Sequence, residues 1–265
     1  MIQQGRHCAS LTLMARTLEP SNVVVDFVTR VKDAKSRSDV EYNSIPTTDP
    51  KKLTRQRGLV CDLAFRLGGE WEIFQHRWHI AVISKAPSRF VSSLQSDLDA
   101  AIAALPGRGI VPGLSSFQPK YPKRLPSDTI ESLLDTSGRN ITFPSVDRWK
   151  TAASRDFTST YSSRVARIAN TPEDACVLEL LKAVRNFLAH GSKQSRATLN
   201  ACIASRPASS QGPGLVGPSN AGLARGGVKS VRDVGVYLQG RAAQGMPRRM
   251  TVLTDRLEAI ALTLN

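Results

Sequence analysis

Arg185, Asn186 and His190 form the most concentrated group of side chains in this sequence whose types suit a reaction. A helical residue advances about 100°, so Val177, Leu181, Val184 and Leu188 gather on one face as a buried stripe. The remaining arc carries Glu179, Lys182, Asn186 and His190 at i, i+3, i+7 and i+11, with Arg185 at its edge. A guanidinium offers a fixed fork of donors to two phosphoryl oxygens. An imidazole, titrating in general at about 6.5, exchanges protons near neutral pH. With an amide between them, these groups are equipped to hold and attack a phosphodiester. Asn186 lies one helical turn before His190, where side chains four apart meet, so it can orient the ring. Glu179 and Lys182 are secondary candidates for contacting substrate, and each also reads as a solvated surface charge. The plainer reading of His190 is a helix C-terminal cation before Gly191, set against the negative end of the dipole.

These residues require a helix over 171–190, started by Pro172 and Glu173 and stopped at Gly191. Upstream, Ser21 can cap a helix in which Val24, Phe27, Val28 and Val31 recur, ending near 35–38. Residues 51–86 predict one long helix or two stacked ones, with Leu59, Leu63, Phe65, Leu67, Trp71, Phe74 and Trp78 as apolar positions. Gly68-Gly69 in its middle marks a kink or a close helix contact. Further helices are expected over 88–105, 127–134, 145–169, 195–205, 229–241 and 247–264, the last two packing against 171–190. The Pro- and Gly-rich residues 106–126 read as an irregular connection, and 206–227 as a mobile loop. Only 110–111 and 141–143 suggest extended pieces. The expected fold is therefore all-α, with residues 1–45 an N-terminal extension carrying one helix and 46–265 the main helical domain.

Thirty-six Lys plus Arg against 22 Asp plus Glu give a formal charge of +14, which favours a polyanionic partner. Lys51-Lys52, Arg55, Arg57, Lys120, Lys123-Arg124 and Arg248-Arg249 are basic groups able to track a nucleic-acid backbone. No apolar run is long enough to span a bilayer, and no membrane partner is expected. The weak apolar patch 11–14 is broken by Arg16 and does not read as a signal peptide. Cys8, Cys61, Cys176 and Cys202 form no CxxC pair, which fits a reducing compartment, so the cytoplasm is expected. His76 and His79 sit three apart without a Cys, Asp or Glu pattern to complete a metal site. No metal or cofactor is expected. Trp71, Phe74 and Trp78 form an aromatic stripe that reads as core rather than as a base-stacking platform. P-loop, GxGxxG and GxSxG motifs are absent.

The run from Leu180 to Ser192, LLKAVRNFLAHGS, resembles the RNxxxH signature of HEPN domain proteins, which are α-helical bundles and often ribonucleases of toxin-antitoxin and antiviral defence systems. The resemblance extends, more weakly, to Leu63–Phe74 with its Glu70-Trp71-Glu72-x-Phe74 and to the closing helix with Leu253, Leu257 and Ile260. It implies a HEPN-type bundle with extra N-terminal helices and long irregular loops. It also implies metal-independent RNA cleavage, in which the 2′-hydroxyl attacks the adjacent phosphate. Arg185 would then stabilise the phosphate, His190 would act as general base or acid, and Asn186 would position them. HEPN proteins dimerise so that two motifs face one cleft, which implies a two-fold homodimer across 171–190, and an antitoxin or defence partner protein. The alternative function is a non-catalytic helical module that binds RNA or a partner protein.

Overall fold

The computed structural model describes residues 18–104, 123–135, 141–204, 215, 218–223 and 230–265. Ten α-helices follow in order among them: α1 (Pro20–Ser44), α2 (Lys52–Lys85), α3 (Ser88–Ala103), α4 (Ser127–Leu134), α5 (Val146–Asp156), α6 (Ser159–Asn170), α7 (Pro172–His190), α8 (Lys193–Ile203), α9 (Val234–Gln239) and α10 (Arg249–Leu262). A 3-10 helix (Pro218–Leu223) lies between α8 and α9. No strand occurs among the described residues, so the fold is all-α as the periodicity implied; residues 141–143 are a connection, and 110–111 lie outside the described residues.

α2 organises the rest. No proline interrupts its 34 residues, which span roughly 50 Å. It is one continuous helix, and its C-terminal half is buried nearly all round, from Phe74 through Ser84 with Arg77 as the exception. Packing on several sides explains why that half shows little one-sided periodicity. Its apolar partners converge in an aromatic cluster: Phe27 of α1 stacks on Phe74 with centroids 4.4 Å apart. Trp78 meets Trp149 of α5 edge-on at 6.0 Å and Phe157 at 5.6 Å. Trp71, Phe74 and Trp78 are thus core, and α1 contributes Val23, Val24, Phe27, Val28 and Val31 to the same core. α10 packs on α7 as expected, tied by Arg256 to Asp174.

One polar pair is sealed inside this core. His79 Nε2 lies 3.1 Å from Asp156 Oδ2, and both side chains are almost fully buried. Asp156 also accepts a 2.8 Å bond from Arg155 Nε. Burial pushes the His79 ring below the ordinary histidine value, although the Asp156 carboxylate pulls the other way. For Asp156, burial is the largest single influence and pushes upward. Hydrogen bonds from His79 and Arg155 together outweigh it and hold the carboxyl below its usual range. A neutral imidazole therefore donates to a carboxylate here. His76, the other histidine of the pair, accepts from the Ile141 amide through Nδ1 at 3.0 Å and is buried.

Four elements differ from the expectation. α1 runs on to Ser44 rather than ending near 35–38, because its polar end finds tertiary partners: Lys35 pairs with Asp255 of α10, and Tyr42 lies under Arg248 at 3.8 Å. The helix expected over 145–169 is two. The chain turns extended at Phe157 (φ −106°, ψ 151°), which buries that ring between Trp78 and His79. Within 206–227, residues 218–223 are ordered in the 3-10 helix, where buried Asn220 donates to the Glu173 carbonyl at 2.7 Å and accepts from Arg256. The expected 229–241 helix is confined to α9, which Asp233 caps by accepting from the Val236 amide. Gly240 ends it, and the chain reverses through Gly245 (φ +83°) before α10.

Candidate functional site

α7 carries the RNxxxH residues and is fixed at both ends. Pro172 occupies its first turn, and Gly191, in the left-handed conformation at φ +57°, ends it with an amide bond to the Phe187 carbonyl of 2.8 Å. Ser192 immediately caps α8 by accepting from the Ser195 amide. α8 folds back on α7, where Arg196 covers Phe187 at 5.5 Å. The sharp turn leaves His190 exposed at a corner of the molecule. No hydrogen bond or ion pair joins it to another described residue.

Arg185 sits five residues earlier, about 7.5 Å along the axis. It reaches toward α2 rather than outward. Gly68 makes this possible: a Cβ there would stand 2.7 Å from the Arg185 Cβ, so the two helices touch at this point. The Gly68-Gly69 pair is thus a close contact and not a kink. The guanidinium donates to Asn186 Oδ1 at 3.2 Å and lies 3.4 Å from Glu72 Oε2. Both side chains of the ion pair are about one-third exposed, at 32% and 31%, so the pair contributes at most about 1 kcal/mol to stability. Glu72 belongs to the site and was not singled out as a site residue from sequence. Its signal was a carboxylate among apolar positions of α2.

Glu179 and Lys182 are engaged elsewhere. Glu179 Oε1 accepts from the Val146 amide at 3.1 Å, satisfying a free donor at the start of α5. Lys182 Nζ donates to the carbonyls of Phe143, at 3.1 Å, and Pro144. Burial lowers the Lys182 pKa, against the attraction of Glu179 and Glu72. Together they pin residues 143–146 onto α7. The cleft between α2 and α7 is floored by Gly68, Trp71, Leu178 and Leu181 and rimmed by Glu72, Glu179, Lys182 and Arg185. Its cavity volume of about 30 Å³ is room for a water or two and not for a base. A substrate must therefore lie across the rim, along Arg185, Asn186 and His190. Lys182→Met is expected to lower stability by about 1–3 kcal/mol through the orphaned carbonyls, as denaturant unfolding would measure.

Gly68→Ala places a methyl against the Cβ and Cγ of Arg185, near the backbone, where the side chain has little freedom to move aside. Overpacking of this kind costs about 1–3 kcal/mol. The expected result is a lower denaturation midpoint together with displacement of Arg185. An unchanged midpoint would show that α2 and α7 separate more easily than their contact implies.

Among the described residues, no group of three His, Cys, Asp or Glu side chains is arranged to hold a metal ion. Burial raises the Cys61 thiol to about 11. It also raises Cys202 to about 12, so neither is poised as a nucleophile. No described helix is long and apolar enough to cross a membrane. Compared with known proteins, the chain matches no family model, no curated protein and no solved structure.

Proposed function

We propose that this chain is a metal-independent endoribonuclease of HEPN type, acting in toxin-antitoxin or antiviral defence, whose site is completed by a second copy. The observation that supports it best is the placing of the motif: Arg185 and Asn186 are bonded to each other on the rim of a cleft, and His190 stands exposed one turn further on. In the reaction, one imidazole takes the proton of the 2′-hydroxyl as its oxygen attacks phosphorus. The bond from phosphorus to the 5′-oxygen breaks, and an acid returns a proton to that oxygen. The products are a 2′,3′-cyclic phosphate and a 5′-hydroxyl. Arg185 stabilises the charge that builds on the phosphoryl oxygens. One imidazole cannot serve both proton transfers in a single step, which is why two copies of His190 facing one cleft suit the chemistry. RNA is the expected substrate, and the net charge of +14 favours its approach.

The alternative, a non-catalytic helical RNA-binding or protein-interaction module, is favoured by one observation: Glu72 occupies the guanidinium that catalysis needs. A chimeric oligonucleotide distinguishes the two. The enzyme leaves uncut a strand whose one cleavable position is 2′-deoxy and cuts its all-ribose counterpart. A module binds both and cuts neither.

A further inference from the structure

The exposed stripe of α2 beside the site carries features that the chain's own fold does not use. Gly69 lies in the interior of a long helix, where glycine is costly, yet a Cβ there would meet nothing within 4 Å. It is flanked four residues either side by Phe65 and Ile73, which are 47% and 39% exposed. Three residues either side stand Arg66 and Glu72, on opposite flanks of the stripe. Arg66 faces α1, where it lies 4.0 Å from Glu70, itself paired with Arg30 at 3.2 Å. Glu72 faces α7 and Arg185. The result is an apolar notch with a cation on one side and an anion on the other.

We infer that this notch is a self-complementary docking surface on which α2 of a second copy of the chain lies, the two helices crossing at Gly69. The charges select this occupant. Because Arg66 and Glu72 are disposed symmetrically about Gly69, a two-fold axis there that crosses the helices close to a right angle sets each Arg66 opposite Glu72 of the copy. The same operation sets Phe65 on Phe65 and Ile73 on Ile73, as an isologous contact requires. Steep crossings are the rarer class of helix packing, and a glycine at the crossing point lets the backbones approach. The surface stands whether or not the motif cuts RNA, but it bears on the proposed reaction. Gly68 adjoins Gly69 and touches Arg185, so the axis passes beside the motif. Arg66 of the copy then competes for Glu72 and releases the Arg185 guanidinium to a phosphate.

The test measures oligomeric state of the full chain by sedimentation, without RNA. Wild type is expected to dimerise. Arg66→Glu and Glu72→Arg, each felt twice in the two-fold contact, are expected to weaken the dimer about 10-fold or more. The double charge swap, Arg66→Glu with Glu72→Arg, restores it. Gly69→Leu blocks the crossing, and circular dichroism checks that each variant is helical. A monomeric wild type, a dimer indifferent to Gly69→Leu, or a charge swap that fails to rescue a folded protein overturns the surface. RNA assays on the same proteins keep the two readings apart. A dimer that behaves as expected but leaves RNA intact counts against the ribonuclease alone, and cleavage by a dimer that ignores Gly69→Leu counts against the surface alone.

Discussion

His190→Ala is expected to lower RNA cleavage about 100-fold or more while leaving the fold intact, and Arg185→Ala to lower it by a comparable factor. The two losses have different physical origins. His190 is exposed and bonded to no other described residue, so its removal takes away proton transfer and changes stability by no more than about 0.5 kcal/mol. Arg185 packs against Gly68 and pairs with Glu72, so its loss also frees the carboxylate and opens space between α2 and α7. Arg185→Lys keeps the charge but not the fork, and is expected to recover only part of the rate. Asn186→Ala is expected to act more weakly, because Asn186 orients its neighbours. The measurement is the initial rate of cleavage of a defined RNA, with unfolding curves for each variant. Loss of rate matched by loss of fold would remove the case for chemistry at these residues.

The largest effect on stability is expected at Asp156. Asp156→Ala leaves His79 buried without its acceptor and Arg155 without its closest carboxylate. Removing one member of a buried pair costs about 3 kcal/mol, on the order of a 10 °C fall in Tm for a chain of this size. The same pair predicts a pH dependence. The folded state lowers the His79 pKa from its ordinary 6.5, so the unfolded chain binds this proton more readily, and stability falls as pH drops below about that value. Asp156 is lowered from 3.8, which adds a further loss in stronger acid as its carboxylate is protonated. His79→Gln retains a donor without the titration and is expected to flatten the first part of the curve. Stability unchanged between neutrality and mild acid would contradict a neutral, buried His79.

Much of this organisation was legible in the sequence, for identifiable reasons. α7 was readable to within a residue because Pro172 and Gly191 punctuate it and because its apolar stripe repeats at helical spacing. α2 was readable because proline is absent from 51 to 86 and its aromatic residues recur on one side. The break at Phe157 was not, since nothing local demands it; a ring leaves the helix to fill space beside Trp78 and His79. The length of α1 was obscured for the opposite reason: its last ten residues are polar and are held by partners on α10 and at Arg248. At the site, the spacing placed Glu179, Lys182, Asn186 and His190 on one arc but did not say what each would meet. Segment 143–146 takes the first two, through the Val146 amide and two carbonyls. Glu72 comes from a helix more than 100 residues earlier, a partnership that only the Gly68 contact discloses.

The most direct test of the central claim is the chemistry of the RNA ends left by purified protein in excess chelator. The account predicts cleavage that persists in the chelator and leaves 2′,3′-cyclic phosphate and 5′-hydroxyl ends, and that disappears in both His190→Ala and Arg185→Ala. Cleavage that survives both substitutions, or 5′-phosphate ends, would contradict it.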